Sequence, residues 1–157
     1  MTECNRRVLL ASRPQGAVTE QNFRIVDAPM PQPADGEVLV RNEWLSLDPY
    51  MRGRMSDAKS YVPPAQLDEV MVGQTVGEVV DSRNPRLSVG DKVLTQLGWQ
   101  SHGVANGADR EPSAYGTLMT CVPPGVTPAV CCDSSCLSVF RAVGAWESFG
   151  ASLRNCL

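Results

Sequence analysis

The chain has 157 residues, enough for one domain of ordinary size that buries a core without disulfide or metal staples. Its hydrophobic fraction of 43% and charged fraction of 20% are those of a soluble globular protein. A net charge of -3 offers no basic face to nucleic acid, and no apolar run reaches the roughly 18 residues of a membrane span.

The N-terminus, Met1 to Arg7, leads only into Val8 to Ala11 and then Ser12. That stretch is too short for the apolar core of a secretory signal, so the expected location is the cytoplasm. The segment Arg7 to Ala11 reads as a strand, broken by Pro14 and Gly16. Phe23-Arg24-Ile25-Val26 alternates as a half-buried strand does. Pro29, Pro31 and Pro33 cannot donate ladder hydrogen bonds and mark an extended connector. Asp35-Gly36 is a turn signal, and Glu37 to Asn42 follows as a strand, expected to be central.

Leu45 to Met55 shows neither helical nor strand periodicity and contains the turn signal Asp48-Pro49. Ser56 to Ser60 reads as a loop, and Val62-Pro63-Pro64 as extended chain. Val70-Met71-Val72 meets Gly73, and Val76 to Val80 forms a short strand. Ser82 to Pro85 is a turn, Val89 to Leu94 a turn entering a strand, and Gly98 to Val104 one more strand. No amphipathic helix of three turns and no repeat precedes residue 105. Short strands with Gly and Pro punctuation predict an all-β barrel or sandwich.

From about Gly116 the composition changes. Residues 121–157 carry four charged side chains (Asp133, Arg141, Glu147, Arg154) and five of the six cysteines, with Cys4 the sixth. A stapled secreted domain spreads its cysteines through the fold, which this chain does not. Leu137 to Phe149 has some helical spacing, imperfectly kept. The expected division is therefore a first domain over 1–115 and a divergent tail over 116–157, out of frame or poorly ordered.

Leu45-Ser46-Leu47-Asp48-Pro49-Tyr50-Met51-Arg52-Gly53-Arg54-Met55 is the most distinctive stretch. It resembles the active-site segment of the alkenal/one reductases, a zinc-independent branch of the medium-chain dehydrogenases/reductases that includes prostaglandin and curcumin-type reductases. Val72 to Val80, Val89 to Val93 and Gly98-Trp99-Gln100 follow in that family's order and spacing, as do Asn5 to Leu10 and Pro29 to Pro33 before it. The resemblance covers residues 5–115. It implies a mainly β, GroES-like, partly open barrel with short helices, followed in the family by a Rossmann domain that binds NADP(H). It also implies NADPH-dependent reduction of the carbon–carbon double bond of α,β-unsaturated ketones or aldehydes, and a homodimer.

A dinucleotide site needs a strand, a Gly-rich turn and a helix N-terminus. After Pro123-Pro124-Gly125 no such turn occurs; Gly144 and Gly150 are isolated. The chain is thus expected to be a partial, inactive member that does not hold NADP(H) tightly alone. The alternative is a non-catalytic barrel that binds a protein partner or small molecule.

Tyr50 has two readings: a buried aromatic with its hydroxyl satisfied, or, as the resemblance implies, a catalytic tyrosine whose phenol donates to the enone carbonyl oxygen. Asp48 and Pro49 shape the turn that presents it. Met51 is either packing or a contact to the nicotinamide. Arg52 and Arg54 either meet anionic groups or are locally paired, and Tyr61 borders the substrate pocket in the family. No metal is expected. The family's zinc-dependent relatives place a histidine where this chain has Gly73-Gln74-Thr75, and Asp48 lies near the position of their cysteine. Trp99 is expected in the core, Gly73, Gly77 and Gly90 at turns or bulges, and the lone His102 outside catalysis.

Overall fold

The computed structural model describes residues 4–58 and 62–106, together with the backbone of 120–121 and 139–141. The described chain is mainly β, in the order β1 (Asn5–Leu10), a single 3-10 turn (Glu20–Asn22), β2 (Phe23–Ala28), β3 (Glu37–Ser46), α1 (Tyr50–Arg54), β4 (Thr75–Ser82), β5 (Lys92–Thr95), β6 (His102–Asn106), β7 (Thr120–Cys121) and β8 (Val139–Arg141). Strands β1 and β2 pair antiparallel as a ribbon. The second sheet runs β6-β3-β4-β5-β7, with β8 also paired to β3. The described strands do not close into a complete barrel, in keeping with the partly open form expected.

β3 is the central strand. β4 lies along one edge, and β6 and then β8 along the other. It is also longer than the sequence pattern implies. Val38 and Val40 point inward at even positions, whereas Leu45 and Leu47 do so at odd ones. A register shift against β4 between Asn42 and Trp44 inserts the extra residue that changes the parity. One strand thereby serves two cores. The first contains Val8, Leu10, Leu45, Leu47, Met51, Met55, Met71 and Trp99. The second contains Val38, Val40, Val79, Leu87, Val93 and Ala105.

Trp99 is fully buried and packs on Phe23, with ring centroids 5.1 Å apart. The backbone joins the ribbon to this region: the Val8 amide donates to the Trp99 carbonyl at 2.8 Å, and the Met71 amide to the Val8 carbonyl at 3.0 Å. Buried Asn5 reinforces the junction. Its Oδ1 accepts from Ser101 Oγ at 3.1 Å and from the His102 amide at 3.0 Å, while its Nδ2 donates to Gln100 Oε1 at 3.1 Å.

The glycines act differently from one another. Gly90 turns the chain at φ +96°, as a turn glycine does. Gly77 lies inside β4, where a Cβ would stand 2.4 Å from the Arg41 carbonyl oxygen. Its role is close backbone approach beside the β3 bulge. In the tail, the helical spacing noted around Leu137 to Phe149 gives way to a strand at Val139–Arg141, paired with Trp44–Ser46. The rest of 116–157, with Gly144, Gly150 and the cysteines other than Cys121, lies outside the described residues.

Candidate active site

The candidate site is built where β3 ends. Leu47 drops into the core, and the chain then turns through Asp48 and Pro49 into α1. Ser46 Oγ donates to Asp48 Oδ2 at 2.8 Å, and the Met51 amide to the Asp48 carbonyl at 3.0 Å. Asp48 thus fastens the strand end to the helix start with both its side chain and its backbone. Pro49 occupies the N-cap with helical angles (φ -57°, ψ -28°), a position where a missing amide costs nothing.

α1 is a helix of five residues, too short to stand on its own propensity. Met51 and Met55, one turn apart, are both fully buried and seat it on the first core. Tyr50 is on the opposite side and is 46% exposed. The reading of Tyr50 as a buried aromatic is therefore replaced by a presented one. Met51 packs in the first core with no exposed surface.

Arg52 is engaged locally. Its Nη2 donates to the Gly16 carbonyl at 2.8 Å and to the Pro14 carbonyl at 3.4 Å. The Arg54 carbonyl accepts from the Ala65 amide at 2.7 Å. Tyr61, the other pocket residue expected from the sequence, lies outside the described residues. Asp48, Pro49, Tyr50, Met51 and Arg52 are brought together, with Tyr50 alone of these both aromatic and outward-facing.

Gln74 reaches the same end of the sheet, its carbonyl accepting from the Ser46 amide at 2.9 Å. Positions 46 and 74 are thus neighbours across the β3–β4 end, and positions 48 and 74 carry a carboxylate and an amide. Among the described residues no cluster of three or more His, Cys, Asp or Glu side chains converges. His102 Nδ1 lies 3.1 Å from Ser101 Oγ, but that hydroxyl also donates to Asn5, so the pair belongs to the junction of β1 and β6.

A dinucleotide pyrophosphate needs several free backbone amides at a helix N-terminus beside a Gly-rich turn. The described helices are a five-residue α1 opened by proline and a three-residue 3-10 turn, and the Arg52 guanidinium binds carbonyl groups. The described residues do not fit that group.

Residues 6–112 match a family model described as the N-terminal domain of oxidoreductase. The chain belongs to this family. It is similar to the NADPH-dependent curcumin reductase of Escherichia coli strain K12, 51% identical over 105 residues, which cover 67% of this chain and 30% of that protein. It is also similar to prostaglandin reductase 1 of Oryctolagus cuniculus, at 36% identity over 61% of this chain and 26% of the relative. Among solved structures, CurA from Vibrio vulnificus in complex with NADPH matches with a TM-score of 0.63 and 53% identity, over 65% of this chain and 30% of that one. The family's GroES-like fold accounts for the mainly β chain with its short helix. The chain spans about 30% of the length of the relatives it matches. No helix of the described residues is long and apolar enough to cross a membrane.

Proposed function

We propose that this chain is the substrate-facing domain of an NADPH-dependent reductase of α,β-unsaturated ketones and aldehydes, and that Tyr50 is its catalytic residue. The observation that carries this reading is the presentation of Tyr50: an aromatic phenol held outward at the end of the central strand, on a helix whose other face is buried. Bound NADPH supplies hydride in such a reaction. The contribution of Tyr50 is to donate its phenolic hydrogen to the carbonyl oxygen, where negative charge develops. Asp48 and Pro49 hold the turn.

The match to NADPH-dependent relatives supports the cofactor, and its span of about 30% of their length supports a partial role. By this reading the chain alone does not turn over. Incubating it with NADPH and benzylideneacetone should leave the NADPH absorbance unchanged; steady loss of absorbance refutes the partial role. Replacing the matching segment of the Escherichia coli relative with residues 6–112 should give an active hybrid. In that hybrid Tyr50→Phe should lower kcat about 10²-fold with little change in KM, the usual effect of removing one oxyanion donor. An unchanged kcat removes Tyr50 from catalysis.

A further inference from the structure

The seat of α1 poses a mechanical problem. Met51 and Met55 lie on one line along the helix, and both are buried. Beside that line the Arg54 carbonyl accepts from the Ala65 amide at 2.7 Å. Tyr50 projects away from the buried line, so a small roll sweeps its hydroxyl through a large arc. Side-chain contacts off the line add to what fixes its direction.

Two arginines supply contacts of this kind, and they do so reciprocally. Arg52, on the helix, reaches out to the loop after β1 and donates to the Gly16 and Pro14 carbonyls. Arg13, on that loop, reaches back: its Nη1 donates to the Met55 carbonyl at 3.0 Å and its Nη2 to the Ala65 carbonyl at 3.3 Å. Met55 is the C-cap residue, so Arg13 satisfies a carbonyl that the helix itself leaves open. The loop is a firm anchor. Pro14 and Val18 are buried, and the Ala11 and Ser12 amides both donate to the Asn22 carbonyl. Arg52 lies about 100° around the helix from Met51, which makes it a contact that resists rolling.

We propose that Arg13 and Arg52 form a reciprocal brace that fixes the roll of α1 and so aims the Tyr50 phenol; both are positioning residues. The aiming rests on the function proposed for Tyr50, whereas the brace itself does not. Arg52 is thereby moved from the pocket to its support.

The test uses the full chain with ring-labelled tyrosine, the Tyr50 signal being assigned from Tyr50→Phe. Amide exchange of α1, the Tyr50 ring signal, Trp99 fluorescence and the melting temperature are measured in wild type, Arg13→Ala, Arg52→Ala and Arg52→Lys, all carrying Trp44→Phe and Trp146→Phe so that the fluorescence is that of Trp99. In both alanine variants the α1 amides should exchange at least about tenfold faster by local opening, and the Tyr50 signal should move. Trp99 fluorescence should stay put. Arg52→Lys keeps one donor for the Gly16 carbonyl and should restore the α1 protection.

Unchanged α1 exchange in both alanine variants overturns the brace. A loss of Trp99 fluorescence alongside it, without rescue by lysine, also overturns the brace in favour of general destabilisation. Benzylideneacetone is then titrated into each protein. A Tyr50 response in wild type that weakens in the alanine variants supports the aiming. No response in any variant counts against the role proposed for Tyr50, while the exchange data still decide the brace.

Discussion

Glycine 77 and glycine 53 invite the same substitution with opposite outcomes. At position 77 a methyl group would meet the Arg41 carbonyl oxygen at 2.4 Å and Val40 Cγ1 at 2.6 Å, inside the paired strands β3 and β4. Neither can retreat without opening the ladder, so Gly77→Ala should cost about 1–3 kcal/mol, as overpacking does. At position 53 a methyl group meets nothing within 4 Å, and the residue lies in α1. Gly53→Ala should therefore stabilise by about 0.5–1 kcal/mol through helix propensity. Urea unfolding of the two variants measures both values, and a stabilising Gly77→Ala would contradict the close approach. Both effects follow from the backbone around the residue, and composition alone distinguishes neither.

At the scale of elements, strands β3, β4 and β5 are tied on their polar face by charge. Lys92 Nζ lies 2.8 Å from both Glu43 Oε1 and Glu78 Oε2, and Arg41 lies 3.2 Å from Glu78. The hydrogen bond from Lys92 leads in holding the Glu78 carboxyl below its ordinary value, against partial desolvation. For Lys92 burial works downward, but the hydrogen bonds to Glu43 and Glu78 prevail and its pKa is raised. Glu78 thus contributes stability above the ordinary carboxylate value of 4.5, and loses it as pH falls through its lower folded pKa. Lys92 contributes below 10.5 and loses it as pH rises through its higher folded pKa. The groups are partly exposed, so Lys92→Met should cost at most about 1 kcal/mol at neutral pH. Melting curves of wild type and Lys92→Met should converge below pH 4.5 and in high salt; a constant gap would assign the effect to packing.

The same elements mark what the sequence could reveal. β2 was legible from the alternation of Phe23-Arg24-Ile25-Val26, and β1 and β4 as short apolar runs bounded by Gly, Pro and turn residues. The second half of β3 was not, because the bulge between Asn42 and Trp44 resets the period that identifies a strand. α1 was hidden by its length, since five residues with a proline before them and a glycine within show no periodicity. The last strand was placed early: Gly98 adopts φ +75° and Trp99 fills the core, so β6 begins only at His102. Tyr50 and its turn were found through a resemblance of motif. The brace from Arg13 was not, because an arginine 37 residues before Tyr50 carries no local sign of the carbonyls it will meet.

At the scale of the whole molecule, the first strand depends on β6. Asn5 is 4% exposed and its amide serves Gln100, Ser101 and His102 at once. Asn5→Ala would leave the His102 amide and the Gln100 side chain without this partner in a buried place. The expected cost is about 1–3 kcal/mol, read from urea unfolding. Asn5→Asp should fare little better, since it keeps the acceptor but loses the donor to Gln100 Oε1. A cost below about 0.5 kcal/mol for Asn5→Ala would mean that water replaces the side chain there.

That junction also sets an order of events during synthesis. The partners of Asn5 lie 95 to 97 residues further along, so the amino-terminal strand leaves the ribosome long before anything exists for it to clasp. Until Gln100, Ser101 and His102 emerge, Val8 and Leu10 have no finished core to enter, and the growing chain carries them uncovered. At ordinary elongation rates of roughly 5–20 residues per second, that interval lasts several seconds, ample time for a chaperone to bind. The β1–β6 junction therefore closes only when β6 has been made, and the exposure of the amino-terminal strand to misassembly lasts until then.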